Sequence, residues 1–136
     1  MKIFTLLILL LSFEISHGIS RSKRLENLQI GILKRINKEE CTQTADNGDK
    51  VQIEYNGRFY GNDENFDSSD KPLSLTLGSH QTIQGFEQGI IGMCLGEKRR
   101  LLIPSKLAYG KEGAPPKIPP DTDILFDVEL VELIKS

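Results

Sequence analysis

Tryptophan is absent from this chain of 136 residues, and cysteine, histidine and methionine occur only twice each. Two histidines, His17 and His80, are too little material for a Ser-His-Asp arrangement or a histidine metal site. His80 reads as a surface loop residue. No Cys-x-x-Cys occurs, which excludes a thiol oxidoreductase of the thioredoxin kind. The glycine spacing matches neither a dinucleotide fingerprint nor a P-loop. Asp63, Asn65 and Asp67 imitate the opening of a calcium loop, but Ser68 stands where its tight turn needs glycine and Ser74 where a bidentate glutamate is required. No metal and no cofactor is therefore expected, and any catalysis must work by shape and desolvation. Positive charge is not in excess either. Lys and Arg total 17 against 19 Asp and Glu, a formal charge of -2 that argues against nucleic acid as a partner. No Asn-x-Ser/Thr sequon is present, so N-glycosylation is not expected.

The chain has a single long apolar run, Ile3 to Leu11 after Lys2, and it is too short to span a bilayer comfortably. A charged start, a short apolar stretch and the small residues Ser16 and Gly18 are the pattern of a secretory signal. Residues 1–18 are expected to be removed, 19–27 with Arg21, Lys23 and Arg24 to form a solvated lead-in, and 28–136 to form the domain, with no membrane association after cleavage. In an oxidising lumen Cys41 and Cys94 can bond, closing a loop of roughly 50 residues worth on the order of 4 kcal/mol. Two buried free thiols are the alternative. The chain ends Leu133-Ile134-Lys135-Ser136, without a Lys/His-Asp-Glu-Leu retrieval signal, which leaves both retention in the endoplasmic reticulum and secretion open.

Period-two alternation marks most of the domain. Leu28, Ile30 and Ile32 predict a first strand running toward Ile36, and Asn47-Gly48 a turn. Val51, Ile53 and Tyr55 form the next apolar face, which Asn56-Gly57 is expected to interrupt or end. Gly61 to Lys71 reads as a polar loop holding one aromatic, Phe66. Leu73, Leu75 and Leu77 alternate again, Lys98 to Ile103 forms a strand halted at Pro104, and Ile124, Phe126, Val128 and Leu130 close the chain. Between them Ile83, Phe86 and Ile90 recur at helical spacing, with Gly85 and Gly89 allowing close backbone approach. Residues 108–121 hold four of the six prolines and read as a long functional loop. The expected class is α+β: a curved antiparallel sheet of about five strands wrapped over one short helix, sharing a single core.

Several of these pieces occur in a specific order: Tyr55-Asn56-Gly57, Phe66-Asp67-Ser68-Ser69, Leu77-Gly78, Ile83-Gln84-Gly85-Phe86-Glu87-Gln88-Gly89, Gly96-Glu97-Lys98-Arg99, Ile103-Pro104, Leu107-Ala108-Tyr109-Gly110, Ile118-Pro119-Pro120 and Leu125-Phe126-Asp127-Val128-Glu129-Leu130. Together they resemble the FKBP-type peptidyl-prolyl cis-trans isomerases over about Leu28 to Lys135. The positions of Cys41 and Cys94 further resemble the small secretory branch, whose cysteine pair is a disulfide. The resemblance implies a sheet of five or six strands around the helix and a pocket between them. Phe86 would be its floor, Tyr55, Phe66, Leu73, Thr82, Ile83 and Phe126 its walls, and Ile118 a border from the proline-rich loop. Asp67 and Tyr109 would be its polar members, with the Ile83 N–H as a second donor. Read without the resemblance, Asp67 is an Asx turn or cap with Ser68 and Ser69, and Tyr109 a packed loop aromatic. Two positions depart from the family pattern: Phe86 where many members carry tryptophan, and Leu73 where an aromatic wall residue is common. Both keep the pocket apolar and make it looser. The implied partners are proline-containing polypeptide clients, with macrolides such as rapamycin as inhibitors, and the implied state is a monomer in the lumen of the endoplasmic reticulum.

Overall fold

The computed structural model describes residues 24–136, so the leader and most of the lead-in expected at the N-terminus lie outside the described residues. Among the described residues there are six strands: β1 Gln29–Lys34, β2 Lys50–Phe59, β3 Asn65–Ser68, β4 Leu73–Thr76, β5 Lys98–Ile103 and β6 Ile124–Ile134. They form one antiparallel sheet in the order β1-β5-β6-β2-β3, with β4 also paired to β2. Among the described residues one α-helix, α1, covers Gln84–Ile90. The expected architecture is the one the chain adopts.

Every central strand is amphipathic by alternation, and its apolar half meets α1. Val51 and Ile53 of β2, Leu75 of β4, Leu101 and Ile103 of β5, and Ile124, Phe126, Val128 and Leu130 of β6 are buried with Phe86 and Ile90 in one cluster. The helix glycines explain how closely α1 lies on the sheet. A Cβ on Gly85 would collide with Ile103 Cγ2 and one on Gly89 with Leu101 Cδ1, so only glycine permits this approach. The helix end is fixed from β5, where Arg99 Nη1 donates to the carbonyls of Gly89 (3.1 Å) and Ile91 (3.0 Å) while its Nε pairs with Glu97. A cation at that end is also favoured by the helix dipole. Cys41 and Cys94 are joined as a disulfide with Cα atoms 5.5 Å apart, tying the segment before β2 to the segment after α1.

Three elements differ from the sequence reading. Asn56-Gly57 does not end β2, which continues to Phe59. Gly57 is needed there because a Cβ would stand 2.7 Å from Phe126 Cε1 and 2.9 Å from Phe66 Cζ. Residues 65–68 are not loop but β3, paired with Asn56, Gly57 and Arg58 through a bulge. A four-residue strand with one apolar residue, Phe66, shows no hydrophobic alternation; pairing with β2 and the packing of Phe66 give it its strand character. Finally, β1 stops at Lys34 and buries no face; Ile30 is 45% and Ile32 43% exposed. β1 is an edge strand, paired among the described residues with β5 alone.

Candidate active site

Where α1 begins, its first turn and the inner face of the sheet leave a cavity of about 380 Å³ lined by Tyr55, Leu73, Gln81, Thr82, Ile83, Phe86, Tyr109 and Phe126. Phe86 is 3% exposed and forms the floor. It is held by an edge-to-face cluster, with ring centroids 5.2 Å from Phe126 and 5.9 Å from Tyr55, and Tyr55 in turn lies 5.7 Å from Phe126. Such arrangements hold rings rigidly because the positive edge of one meets the negative face of the next. Gly85, by letting α1 settle on β5, sets the depth at which Phe86 sits.

The rim carries the polar groups. Tyr55 Oη donates to Asp67 Oδ2 at 3.0 Å, so Asp67 reaches the cavity through the Tyr55 hydroxyl. Burial, followed by the hydrogen bond to Asp67, pushes the Tyr55 phenol up to about 12, and it stays a donor throughout the physiological range. The Tyr109 phenol, which lines the same cavity as Tyr55, is also raised, by burial first and by the Asp67 charge second. Tyr109 is presented by the loop after β5. Its carbonyl accepts from Gly113 N–H at 3.1 Å, and the loop is pinned where Ser105 N–H donates to Asp123 Oδ1 at 2.8 Å. The Ile83 N–H has no hydrogen-bond partner among the described residues, as expected for the residue that precedes a helix.

Residues 41–131 match the model of the FKBP-type peptidyl-prolyl cis-trans isomerase family. The chain belongs to the FKBP-type peptidyl-prolyl cis-trans isomerases. It is 50% identical over 114 residues to the FK506-binding protein 2 of Yarrowia lipolytica, covering 82% of this chain and 78% of that one. It is 49% identical over 112 residues to the peptidyl-prolyl cis-trans isomerase FPR2 of Saccharomyces cerevisiae, covering 80% and 83%. Against the peptidyl-prolyl cis-trans isomerase FKBP2 of Homo sapiens it is 41% identical over 135 residues, 97% of this chain and 92% of the other.

In this isomerase not every residue named from the sequence lines the cavity. Tyr55, Leu73, Thr82, Ile83, Phe86, Tyr109 and Phe126 do. Asp67 stands one hydrogen bond behind it, in β3 and opposite Gly57, rather than in an Asx turn with Ser68 and Ser69. Phe66 is not a wall but a support: it stacks on Phe59 (5.0 Å) and meets the back of Phe126 edge-on at 5.7 Å. Ile118 does not border the cavity. It is 5% exposed and locks the proline-rich loop through paired backbone bonds with Ala114, at 2.9 and 3.0 Å. The sequence cannot say which side of an irregular loop turns inward. Gln81 was missed because a glutamine in a polar loop gives no signal. Phe59 was missed although period two from Tyr55 through Gly57 leads to it once β2 is continued.

Proposed function

We propose that this isomerase accelerates rotation about Xaa-Pro bonds of polypeptide clients in the secretory pathway, by stripping water from the prolyl amide and fitting its twisted form. The observation that carries the reading is the apolar hollow over Phe86 with the Tyr55–Asp67 pair and Tyr109 on one rim. Resonance sets a barrier near 18–20 kcal/mol for the rotation, and water favours the planar, charge-separated amide. A proline ring resting on Phe86 between Phe126 and Tyr55 places its amide at the rim, out of bulk water. The twisted amide loses resonance and charge separation, so a dry site disfavours it less than it disfavours the planar forms. The Ile83 N–H and the Tyr109 hydroxyl donate to client carbonyls and hold the chain across the floor. Asp67 fixes the Tyr55 hydroxyl and gives that side of the rim a negative field facing the amide. No bond is made or broken, so no nucleophile is needed.

Residence in the lumen of the endoplasmic reticulum is supported by the leader pattern of residues 1–18 and by the Cys41–Cys94 bond, which suits an oxidising compartment. All cavity residues come from one chain, so a monomer suffices. Relatives named for FK506 binding support macrolides, rapamycin among them, as ligands of the same hollow. The test is a protease-coupled assay with a proline tetrapeptide on the oxidised protein. Isomerisation faster than the uncatalysed rate and abolished by rapamycin is expected. A folded protein that binds rapamycin without accelerating the peptide is a binding module, and that outcome overturns the proposal.

A further inference from the structure

A second cleft, of about 310 Å³, abuts the proline cavity, and Gln81 lines both. It opens on the other face of the sheet. Register across β4, β2 and β6 sets two rows of side chains there: Ser74, Gln52 and Glu132 in one, Thr76, Lys50 and Ile134 in the next. Neither Lys50 nor Glu132 is committed to an ion pair among the described residues.

The backbone of β4 makes this edge more than a surface dimple. β4 pairs with β2 on one side and, among the described residues, has no strand on the other. In an antiparallel pair the N–H and C=O groups of successive residues point alternately toward and away from the partner. Those of Ser74 and Thr76 point away. Thr76 is already satisfied, its N–H donating to Gln81 Oε1 at 2.9 Å and its carbonyl accepting from Ser79 N–H at 3.3 Å. The Ser74 pair has no partner among the described residues. Ser74 directly follows Leu73, a wall of the proline cavity. An unpaired donor and acceptor beside an apolar pocket are what an extended peptide uses when it adds to a sheet edge.

We propose that the residues flanking the proline of a client add as an extended segment to the β4 edge, bonding the Ser74 backbone and laying side chains past Gln81 among Gln52, Lys50 and Glu132. This deepens, and rests on, the isomerase reading of the adjoining cavity. An extended chain advances about 3.3 Å per residue, so reaching from Leu73 to the Thr76 row takes about three client residues beyond the proline site. A tetrapeptide fills the cavity and falls short of the edge.

The experiment compares a blocked proline tetrapeptide with a dodecapeptide of the same core extended on both sides. Two added main-chain hydrogen bonds correspond to about tenfold, so kcat/KM for the dodecapeptide is expected to exceed that for the tetrapeptide by that factor in the wild type. Ser74→Trp, which fills the outer cleft, should bring the ratio to within about twofold of one, and Ser74→Pro, which deletes one of the two bonds through an N–H the sheet does not use, should lower it to about threefold. Because either variant can disturb β4, the wild-type protein is also titrated by NMR. The amide resonances of Ser74, Gln52 and Glu132 should move with the dodecapeptide and stay still with the tetrapeptide. A wild-type ratio near one together with unmoved resonances overturns the edge. Resonance shifts at Ser74 without turnover of either peptide would instead overturn the isomerase reading and leave the edge standing.

Discussion

Replacing Phe86 with alanine tests the cavity at its floor. The ring is 3% exposed and contacts Phe126 and Tyr55 edge-on, so truncating it removes a fully buried aromatic and opens space beneath the hollow. Changes of this kind cost about 3–5 kcal/mol of stability. The oxidised protein is expected to survive it, since small domains have about 5–15 kcal/mol in hand. The catalytic effect is smaller and separate. A proline ring laid on Phe86 presents about two methylenes to it, and at about 0.8 kcal/mol each the lost contact comes to about 1–2 kcal/mol. That predicts kcat/KM lower by about 5- to 30-fold on a proline tetrapeptide. The measurement pairs the coupled assay with a thermal melt, so that loss of rate is read on folded protein, and Phe86→Leu should fall between the two. A folded Phe86→Ala protein working within about twofold of wild type would mean that the client ring does not rest there, and the placement of substrate over α1 would have to be abandoned.

Asp67→Val should lower isomerisation while the protein stays folded, and it should move the Tyr55 phenol from about 12 part of the way back toward 10.0, since burial, the larger cause, remains. The sign follows from the raised value: Tyr55 contributes stability that is fully present below the unfolded value of 10.0 and is lost as pH rises through about 12. NMR titration of the Tyr55 ring checks the shift, and an unmoved phenol would show that Asp67 does not govern it. Cutting the disulfide by Cys41→Ser with Cys94→Ser releases a sequence separation of 53, worth about 4 kcal/mol in the chain-entropy model. For a domain of this size that lowers Tm by about 15–20 °C, and a drop of only a few degrees would refute the estimate.

Much of this architecture is written locally. Alternation over Val51 to Tyr55, Leu73 to Leu77 and Ile124 to Leu130 records which face of each strand avoids water, Lys98 to Ile103 ends in an apolar run halted at Pro104, and those strands form there. The spacing of Ile83, Phe86 and Ile90 does the same for α1. β3 could not be read this way, because Asn65–Ser68 carries one apolar residue, Phe66, too few to alternate, and is held by hydrogen bonds to β2. The exposure of β1 was equally hidden, since its Ile30 and Ile32 alternate as a buried strand does, and their place on an edge strand is set by the sheet order. At the site, the aromatic residues announced themselves by type, whereas the positions of Phe66 behind Phe126 and of Ile118 inside its loop depend on how separate segments pack.

The sequence by itself determined the kind of surface each segment presents, and with it a sheet, a short helix and a family, because periodicity and turn chemistry act between near neighbours along the chain. Tertiary structure alone decided which of those surfaces meet. Tyr55 and Asp67 are twelve residues apart, and the Tyr55 hydroxyl donates to the Asp67 carboxylate only because β3 folds back onto β2. Gln81 divides two clefts only because the loop after β4 wraps the sheet edge and bonds Thr76. Such contacts arise from closing the chain on itself, where packing rather than local preference sets what touches what.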